Sequence, residues 1–176
     1  MIQSPYRRGA DDGFIFGLYL SAMFFASIFA QTLPVLSLLS MAMMVLVPAV
    51  IFRFMRSFDR DLGPSASFPM LWMQGVVIFF CGTLIAGAAL VIYMKWIEPD
   101  FVFNQMQSVA DLAGAAPGTF VDNAADIASK MIEARFIPTP IAIVTELIML
   151  SIVTGSILSI LLSAFFALRR RSLQKA

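Results

Sequence analysis

The stretch Pro140–Leu168 reads PIAIVTELIMLSIVTGSILSILLSAFFAL and contains one charged residue, Glu146. A run of this length exceeds the roughly 20 apolar residues that an α-helix needs to cross the hydrocarbon core of a bilayer. Backbone polar groups in lipid must form hydrogen bonds within their own segment, which requires a helix. The stretch therefore predicts a transmembrane helix.

Three similar apolar runs precede it, at about residues 14–32, 34–54 and 68–94, and the last run covers about 140–168. The first two are separated only around Gln31–Leu33, which predicts a tight antiparallel hairpin. Pro48 removes one hydrogen bond inside the second run and predicts a kink. We expect an all-α fold, an integral membrane four-helix bundle that forms a single domain over residues 1–176.

Composition supports a membrane protein and excludes several kinds of chemistry. The chain is 60% hydrophobic and 13% charged, and its mean hydropathy is +0.87, which lies outside the range of soluble domains. A net charge of +1 gives no field for capturing nucleic acid. The chain has no His and one Cys, Cys81, which excludes His-assisted nucleophiles, imidazole-ligated metals and an internal disulfide. We expect a protein that is not an enzyme and that has no cofactor.

The basic residues predict the orientation. With four spans, three basic residues fall on one side of the membrane and nine on the other, so the positive-inside rule places both termini in the cytoplasm. We expect the first helix to be retained rather than cleaved as a signal peptide, because Asp11 and Asp12 separate Arg7 and Arg8 from the apolar core. Trp72, Tyr93 and Trp96 are predicted interfacial anchors. The nine are Arg7, Arg8, Arg53, Arg56, Arg60, Arg169, Arg170, Arg171 and Lys175; the three are Lys95, Lys130 and Arg135.

The loop at about residues 97–137 is predicted to be extracytoplasmic and to contain two short amphipathic helices. The first begins near Pro99, and the second is capped by Thr119 with Asp122 three residues later. We expect them to cover the outer mouth of the bundle; the headgroup layer and a partner helix are the alternatives. The apolar stripes are Val102, Met106, Val109 and Ala113 in the first helix, and Phe120, Ala124, Ile127, Met131 and Ala134 in the second.

Glu146 is the candidate functional polar residue. It lies six residues after Pro140, about 9 Å into the helix. An intramembrane carboxyl group is costly and is therefore a candidate site. We expect a structural hydrogen bond or ion pair, with Lys95, Gln31 or Thr32 as partner, and the alternative is proton or cation handling.

Small residues recur at intervals on three of the predicted helices. Such residues let helix backbones approach closely in lipid, so we expect them to form packing faces. At 100° per residue Glu146 lies nearly opposite Gly155, so the two cannot face the same neighbour. The residues are Gly13, Gly17 and Ser21 on the first helix, Gly75, Gly82 and Gly87 on the third, and Ser151, Gly155, Ser159 and Ser163 on the fourth.

Two arginine clusters, Arg53, Arg56 and Arg60 in one and Arg169–Arg171 in the other, have two interpretations. In the first, the arginines bind anionic lipid, at about 1 kcal/mol per residue. In the second, they only fix the topology, and this is the interpretation that we expect.

Five local strings are distinctive: FRFMR (Phe52–Arg56), SASF (Ser65–Phe68), QG (Gln74–Gly75), YMKWIEPDF (Tyr93–Phe101) and LRRR (Leu168–Arg171). With the four-helix layout, they resemble the bacterial four-helix inner-membrane proteins of domain-of-unknown-function family 4199, found chiefly in Bacteroidota. The resemblance covers nearly the whole chain and implies an inner-membrane protein of unassigned activity, with no catalytic residues to carry over.

We therefore expect a non-enzymatic multi-pass protein of the bacterial inner membrane. It would act through helix–helix or outer-cap contacts, either with itself as a homo-oligomer or with another membrane protein, and membrane lipid would surround it. The alternative is a small transporter or ion-conducting subunit that uses Glu146.

Overall fold

A computed structural model of the chain describes residues 4–30, 33–112 and 118–174. Within these ranges the fold is entirely helical and no strand occurs. A 3₁₀ turn, Gly63–Ser65, precedes α3, and a π-helical turn, Tyr93–Ile97, follows it. The helices are α1 (Pro5–Phe29), α2 (Pro34–Leu62), α3 (Phe68–Ile92), α4 (Phe101–Ala110), α5 (Phe120–Glu133) and α6 (Pro140–Gln174).

The four long helices α1, α2, α3 and α6 each have the length and hydropathy needed to cross a membrane. Helix α1 begins at Pro5, nine residues before the predicted apolar span. The Ser4 side chain caps it by accepting a hydrogen bond from the Arg7 backbone N–H at 3.4 Å, and proline is well suited to the first helical position. The charged residues of the N-terminal segment are therefore helical. Helix α2 runs continuously through Pro48.

The chain divides into two compact units, one comprising Met1–Ala88 with Leu147–Ala176 and the other comprising Ala89–Glu146. In the first unit, α1, α2, α3 and α6 all contribute to one apolar core. Helix α2 meets α6 through the rings of Phe52 and Phe166, whose centroids lie 5.2 Å apart. The core residues are Phe16, Ile51, Met55, Phe58, Leu62, Leu71, Ile78, Phe79 and Phe166.

Large apolar side chains cover the outside of the long helices. On α2, Val35 is 76% exposed and Val45 is 71% exposed. On α6, Met149, Leu150, Val153 and Leu161 are also exposed. Exposed apolar surface of this extent marks a membrane or protein interaction surface, and together with the four long apolar helices it suggests a membrane protein.

In the second unit, α4 and α5 pack against each other. The turn before α4 is held by Tyr93, which is buried. The Tyr93 hydroxyl donates a hydrogen bond to the Glu98 carboxylate at 2.6 Å, and its ring packs edge-on against Phe101 with centroids 5.5 Å apart. Tyr93 therefore fixes a corner of this unit instead of lying exposed as an interfacial anchor. Trp96, by contrast, is 74% exposed.

Candidate functional site

A polar cluster centred on Asp12 joins α1, α2 and α3. Asp12 is 6% exposed and Gln74 is fully buried. The Gln74 amide donates a hydrogen bond from Nε2 to Oδ2 of Asp12 at 2.9 Å. The Arg8 guanidinium lies 3.4 Å from the same carboxylate oxygen. Asp12 therefore has both a cationic neighbour and a hydrogen-bond donor.

Arg8 extends the cluster to α2. Its Nη2 donates a hydrogen bond to the Ser57 hydroxyl at 3.2 Å and lies 3.8 Å from the carboxylate of Asp61. One guanidinium group thus bridges two helices, and its fixed set of donors suits it to this role. Because Arg8 and Asp12 have opposite charges, the buried carboxylate is compensated instead of isolated.

Local sequence explains how Asp12 reaches the interior. Arg8 and Asp12 are four residues apart, so they lie on the same face of α1. The adjacent glycines bring the α1 backbone onto α3 close to Gln74. Gln74 Oε1 is itself buried and has no hydrogen-bond partner in the part of the chain that the structure describes. The contacts of the cluster link three helices, so its geometry suits the fixing of helix positions.

The glycine seam on α1 includes the predicted Gly13 and Gly17, and it extends to Gly9, which was not predicted. No side chain fits between α1 and α3 at these positions, because an added Cβ would lie too close to an α3 side chain. The distances would be 2.9 Å from Val77 Cβ at Gly9, 2.8 Å from Cys81 Cβ at Gly13 and 2.7 Å from Ile85 Cβ at Gly17. Ser21 is half-buried, and its hydroxyl donates to the Gly17 carbonyl oxygen at 2.8 Å.

The small residues of α3 face both neighbouring helices. A Cβ at Gly82 would lie 2.5 Å from the ring of Phe16 on α1, and a Cβ at Gly75 would overlap the Ser159 side chain on α6. Gly87 is also buried. Helix α3 therefore packs closely against both α1 and α6.

The small residues of α6 combine close packing with polar contacts. Gly155 lies directly against the ring of Phe79. The hydroxyls of Ser151 and Thr83 are 2.5 Å apart, and the hydroxyl of the fully buried Ser159 donates to the Gly155 carbonyl oxygen at 2.6 Å. Ser163 is fully buried, and its hydroxyl has no partner among the described residues. Another hydroxyl on this helix, that of Ser156, accepts a hydrogen bond from the Trp72 indole at 3.2 Å.

Glu146 belongs to the second unit, and its side chain is exposed. Across the described ranges it forms no hydrogen bond or ion pair. Of the partners predicted for it, Lys95 is exposed as well, while Gln31 and Thr32 lie outside the described residues. Gly155 is buried, so the opposite placement of these two α6 residues agrees with their spacing.

An open apolar groove of about 430 Å³ lies between helices α4 and α5. Its walls include Val109 and Met106 from α4 and Ile127 and Met131 from α5, and among the described residues Gln105 is the only polar one that lines it. Of the predicted α5 stripe, Ala124 also lines the groove, whereas Phe120 is 86% exposed and does not line it. The most buried positions of α5 are Ala125 and Ala128.

The opposite side of α5 is polar. Lys130 and Asp126 form an ion pair one turn apart at 2.6 Å, and this hydrogen bond raises the pKa of the Lys130 ammonium. At the start of α5, the Asp122 carboxylate accepts a hydrogen bond from the Gly118 backbone N–H at 3.3 Å. The helix thus separates a charged face from the face that forms the groove.

Sequence reasoning missed Asp12 as a buried group, because Asp11 and Asp12 were interpreted together as a polar flank of the apolar run. A signal was present in the spacing. Asp12 lies four residues after Arg8 and borders the glycine positions 9 and 13, which places it at the edge of the packing face. Asp11, on the neighbouring face, is exposed.

Comparison with known proteins gives a family without an assigned activity. No curated protein and no solved structure matches the chain. The model of a family described as "Protein of unknown function (DUF4199)" matches residues 11–167, which include Asp12 and Gln74, most of the four long apolar helices and the α4–α5 groove. Because this match covers most of the 176 residues, the chain belongs to the DUF4199 family.

Proposed function

We propose that this protein is a non-enzymatic component of the bacterial inner membrane, with both termini in the cytoplasm. Its four long helices cross the membrane, and the segment that contains α4 and α5 lies on the extracytoplasmic side. The protein acts by contact, through that outer cap, with another membrane protein or with a second copy of itself. The supports are the four apolar helices, the distribution of basic residues and the lack of an assigned activity in the family.

The observation that carries this proposal is the open groove between α4 and α5. Ile127 lines it and is 58% exposed, so apolar surface remains uncovered although the two helices already pack on each other. An exposed apolar groove outside the membrane is the shape that receives an apolar helix face or segment. Its volume of about 430 Å³ accommodates only a few side chains, which suits a short docking segment.

The test is site-specific crosslinking in native membranes. A photoreactive amino acid at Val109, in the groove, should give a discrete adduct, either a dimer of the chain or a complex with one membrane protein. The matched control carries the same amino acid at Asn123, which is exposed on α5 and does not line the groove, and should give no such adduct. Recovery of only the monomer from both positions would refute the proposal.

The orientation is tested separately with a membrane-impermeant thiol reagent. Cys81 is the single native cysteine, so a Cys81→Ala chain carrying one new cysteine gives an unambiguous signal. A cysteine at Ser4 should be labelled only after the membrane is permeabilised, whereas one at Asn123 should be labelled in intact spheroplasts. Labelling of both positions in intact spheroplasts would contradict cytoplasmic termini.

No observation favours transport through Glu146 over this proposal. A transport site normally gathers several polar groups around the ion or substrate, often where helices are broken. The exposed Glu146 side chain has no polar partner within the described part of the chain. Its role as a carrier of protons or cations remains the weaker hypothesis.

A further inference from the structure

A second cavity in the structure, of about 670 Å³, lies along α2 in the first unit and is closed on one side by Tyr19 of α1. Its lining residues on α2 include Leu46, Val50, Arg53 and Arg60. These positions repeat at three-, four- and seven-residue intervals, so they form one stripe along the helix. We call this cavity the α2 groove.

The two ends of the α2 groove differ in chemistry. From Leu46 to Val50 its wall is apolar, and from Arg53 to Arg60 it is basic. The seven residue steps from Arg53 to Arg60 span about 10 Å of helix, and the four steps of the apolar part, from Leu46 to Val50, span about 6 Å. A ligand that fills the groove must therefore have an anionic end and an apolar end.

The arginines of the α2 groove have no ion-pair partner among the residues that the structure describes. All three, Arg53, Arg56 and Arg60, are exposed. The contrast with Arg8 is informative, because Arg8 lies close to the carboxylates of both Asp12 and Asp61. Three guanidinium groups that line one cavity provide donors of the kind that bind phosphate oxygens.

We propose that the α2 groove is a binding site for an anionic phospholipid. The phosphate accepts hydrogen bonds from Arg53, Arg56 and Arg60, and the glycerol backbone and upper acyl chains lie against Leu46, Ala49 and Val50. This arrangement agrees with the predicted topology, in which this end of α2 meets the anionic cytoplasmic leaflet. The inference is independent of the partner proposed for the outer cap.

Topology alone does not account for the groove. Fixing the orientation of a helix needs basic residues near its end but no cavity beside them. A soluble phosphate would use the arginines but not the apolar wall. The combination of both surfaces in one groove is what selects a lipid as the occupant.

The test is native mass spectrometry of the purified full chain, titrated with phosphatidylglycerol and, for comparison, with zwitterionic phosphatidylcholine. Phosphatidylglycerol should bind at lower concentration. Replacing Arg53, Arg56 and Arg60 together by Gln should weaken its binding about five-fold for each arginine, which corresponds to about 1 kcal/mol per residue. Higher ionic strength should weaken it too, because salt screens exposed charges.

The matched control replaces Arg169, Arg170 and Arg171 by Gln, which removes the same charge from the same predicted side and should leave phosphatidylglycerol binding nearly unchanged. A second variant, Ala49→Trp, fills the apolar part of the groove without altering charge and should also weaken binding. Thermal unfolding and helix content confirm that each variant is folded.

Three results would overturn the proposal. Equal losses in the two arginine variants would show general charge attraction, and equal binding of the two lipids would remove the role of the phosphate charge. If Ala49→Trp binds normally while glycerol phosphate competes as well as the lipid, the ligand is a soluble phosphate compound.

Discussion

The hydrogen bond between Gln74 and Asp12 offers the sharpest test of how the first unit is held together. The two side chains are among the few buried polar groups of the described residues and are 2.9 Å apart at their nearest atoms. We consider Asp12→Ala, Gln74→Leu and the double variant. Leucine keeps most of the volume of Gln74, so that its effect reports the lost polar contact more than a new cavity.

The expected magnitudes follow from burial and charge. A hydrogen bond to a charged group contributes about 1.5 to 3 kcal/mol net, and a buried group left without its partner adds a desolvation cost. Asp12→Ala removes the bond, leaves Gln74 Nε2 without an acceptor and separates Arg8 from one of its carboxylates. We expect it to lower the free energy of unfolding by about 3 kcal/mol, since removing one partner of a buried pair typically costs about 3 to 5 kcal/mol and the Arg8 side chain is 29% exposed.

The double variant measures the coupling energy between Asp12 and Gln74 apart from the other contacts that each side chain makes. Coupling between polar side chains on different membrane helices averages about 0.6 kcal/mol and reaches about 1.7 kcal/mol. Because Asp12 carries a charge and Gln74 is fully buried, we expect a coupling near the upper value, about 1.5 kcal/mol. Asp12→Asn, which keeps an acceptor for Gln74, should cost less than Asp12→Ala.

The assay is reversible unfolding of the purified protein in mixed micelles with increasing sodium dodecyl sulfate, followed by helix circular dichroism. Asp11→Ala is the matched control, because Asp11 is the exposed neighbour of the same residue type and its loss should change stability by less than about 0.5 kcal/mol. Additive single effects, or equal losses from Asp11→Ala and Asp12→Ala, would refute the assigned role of the cluster.

Three further predictions concern packing, the corner of the second unit and Glu146. Gly13→Leu should lower the free energy of unfolding by at least about 3 kcal/mol, because its Cβ alone would lie 2.8 Å from an α3 side chain. The control Ala22→Leu, on the exposed face of α1, should change the unfolding midpoint little. Tyr93→Phe removes the hydrogen bond to the Glu98 carboxylate and should speed amide hydrogen exchange at the start of α4, and unchanged exchange would argue against this contact. Glu146→Gln should shift stability by less than about 0.5 kcal/mol, and a clearly larger loss in thermal unfolding would reveal a partner that the described residues do not show.

The all-helical fold and the four long apolar helices were predictable because the evidence for them is local. A run such as Pro140–Leu168 is constrained by its own hydropathy and by the need to satisfy backbone groups within the segment. Helix ends were less predictable. The apolar run of α1 begins at Phe14, yet the helix begins at Pro5, because a capping serine and a first-turn proline determine a helix start irrespective of hydropathy.

Contacts between elements were harder to predict than the elements themselves. The α5 stripe was predicted from spacing alone, and Phe120 was included because its position fits the period. The structure leaves Phe120 exposed and buries Ala125 and Ala128, so the packed face is rotated relative to the predicted one. Periodicity identifies an apolar face, but the neighbouring helix decides which part of that face is covered, and small residues permit the closest approach.

The contrast between Glu146 and Asp12 shows why an isolated charge was a poor guide to the polar centre of this protein. Glu146 stands out in an otherwise uncharged run, but a carboxylate about 9 Å from a helix end extends to the polar interface at modest cost. Asp12 is less conspicuous, since it lies among Arg7, Arg8 and Asp11, yet it borders the glycine face that α3 covers. Burial of a carboxylate requires a neighbouring helix that brings a donor, and here α3 brings Gln74 to 2.9 Å while α1 itself supplies Arg8. A polar residue beside a closely packed glycine face is therefore a stronger candidate for an interior contact than a polar residue on an exposed helix face. In this chain the glycine pattern locates the buried cluster better than hydropathy does.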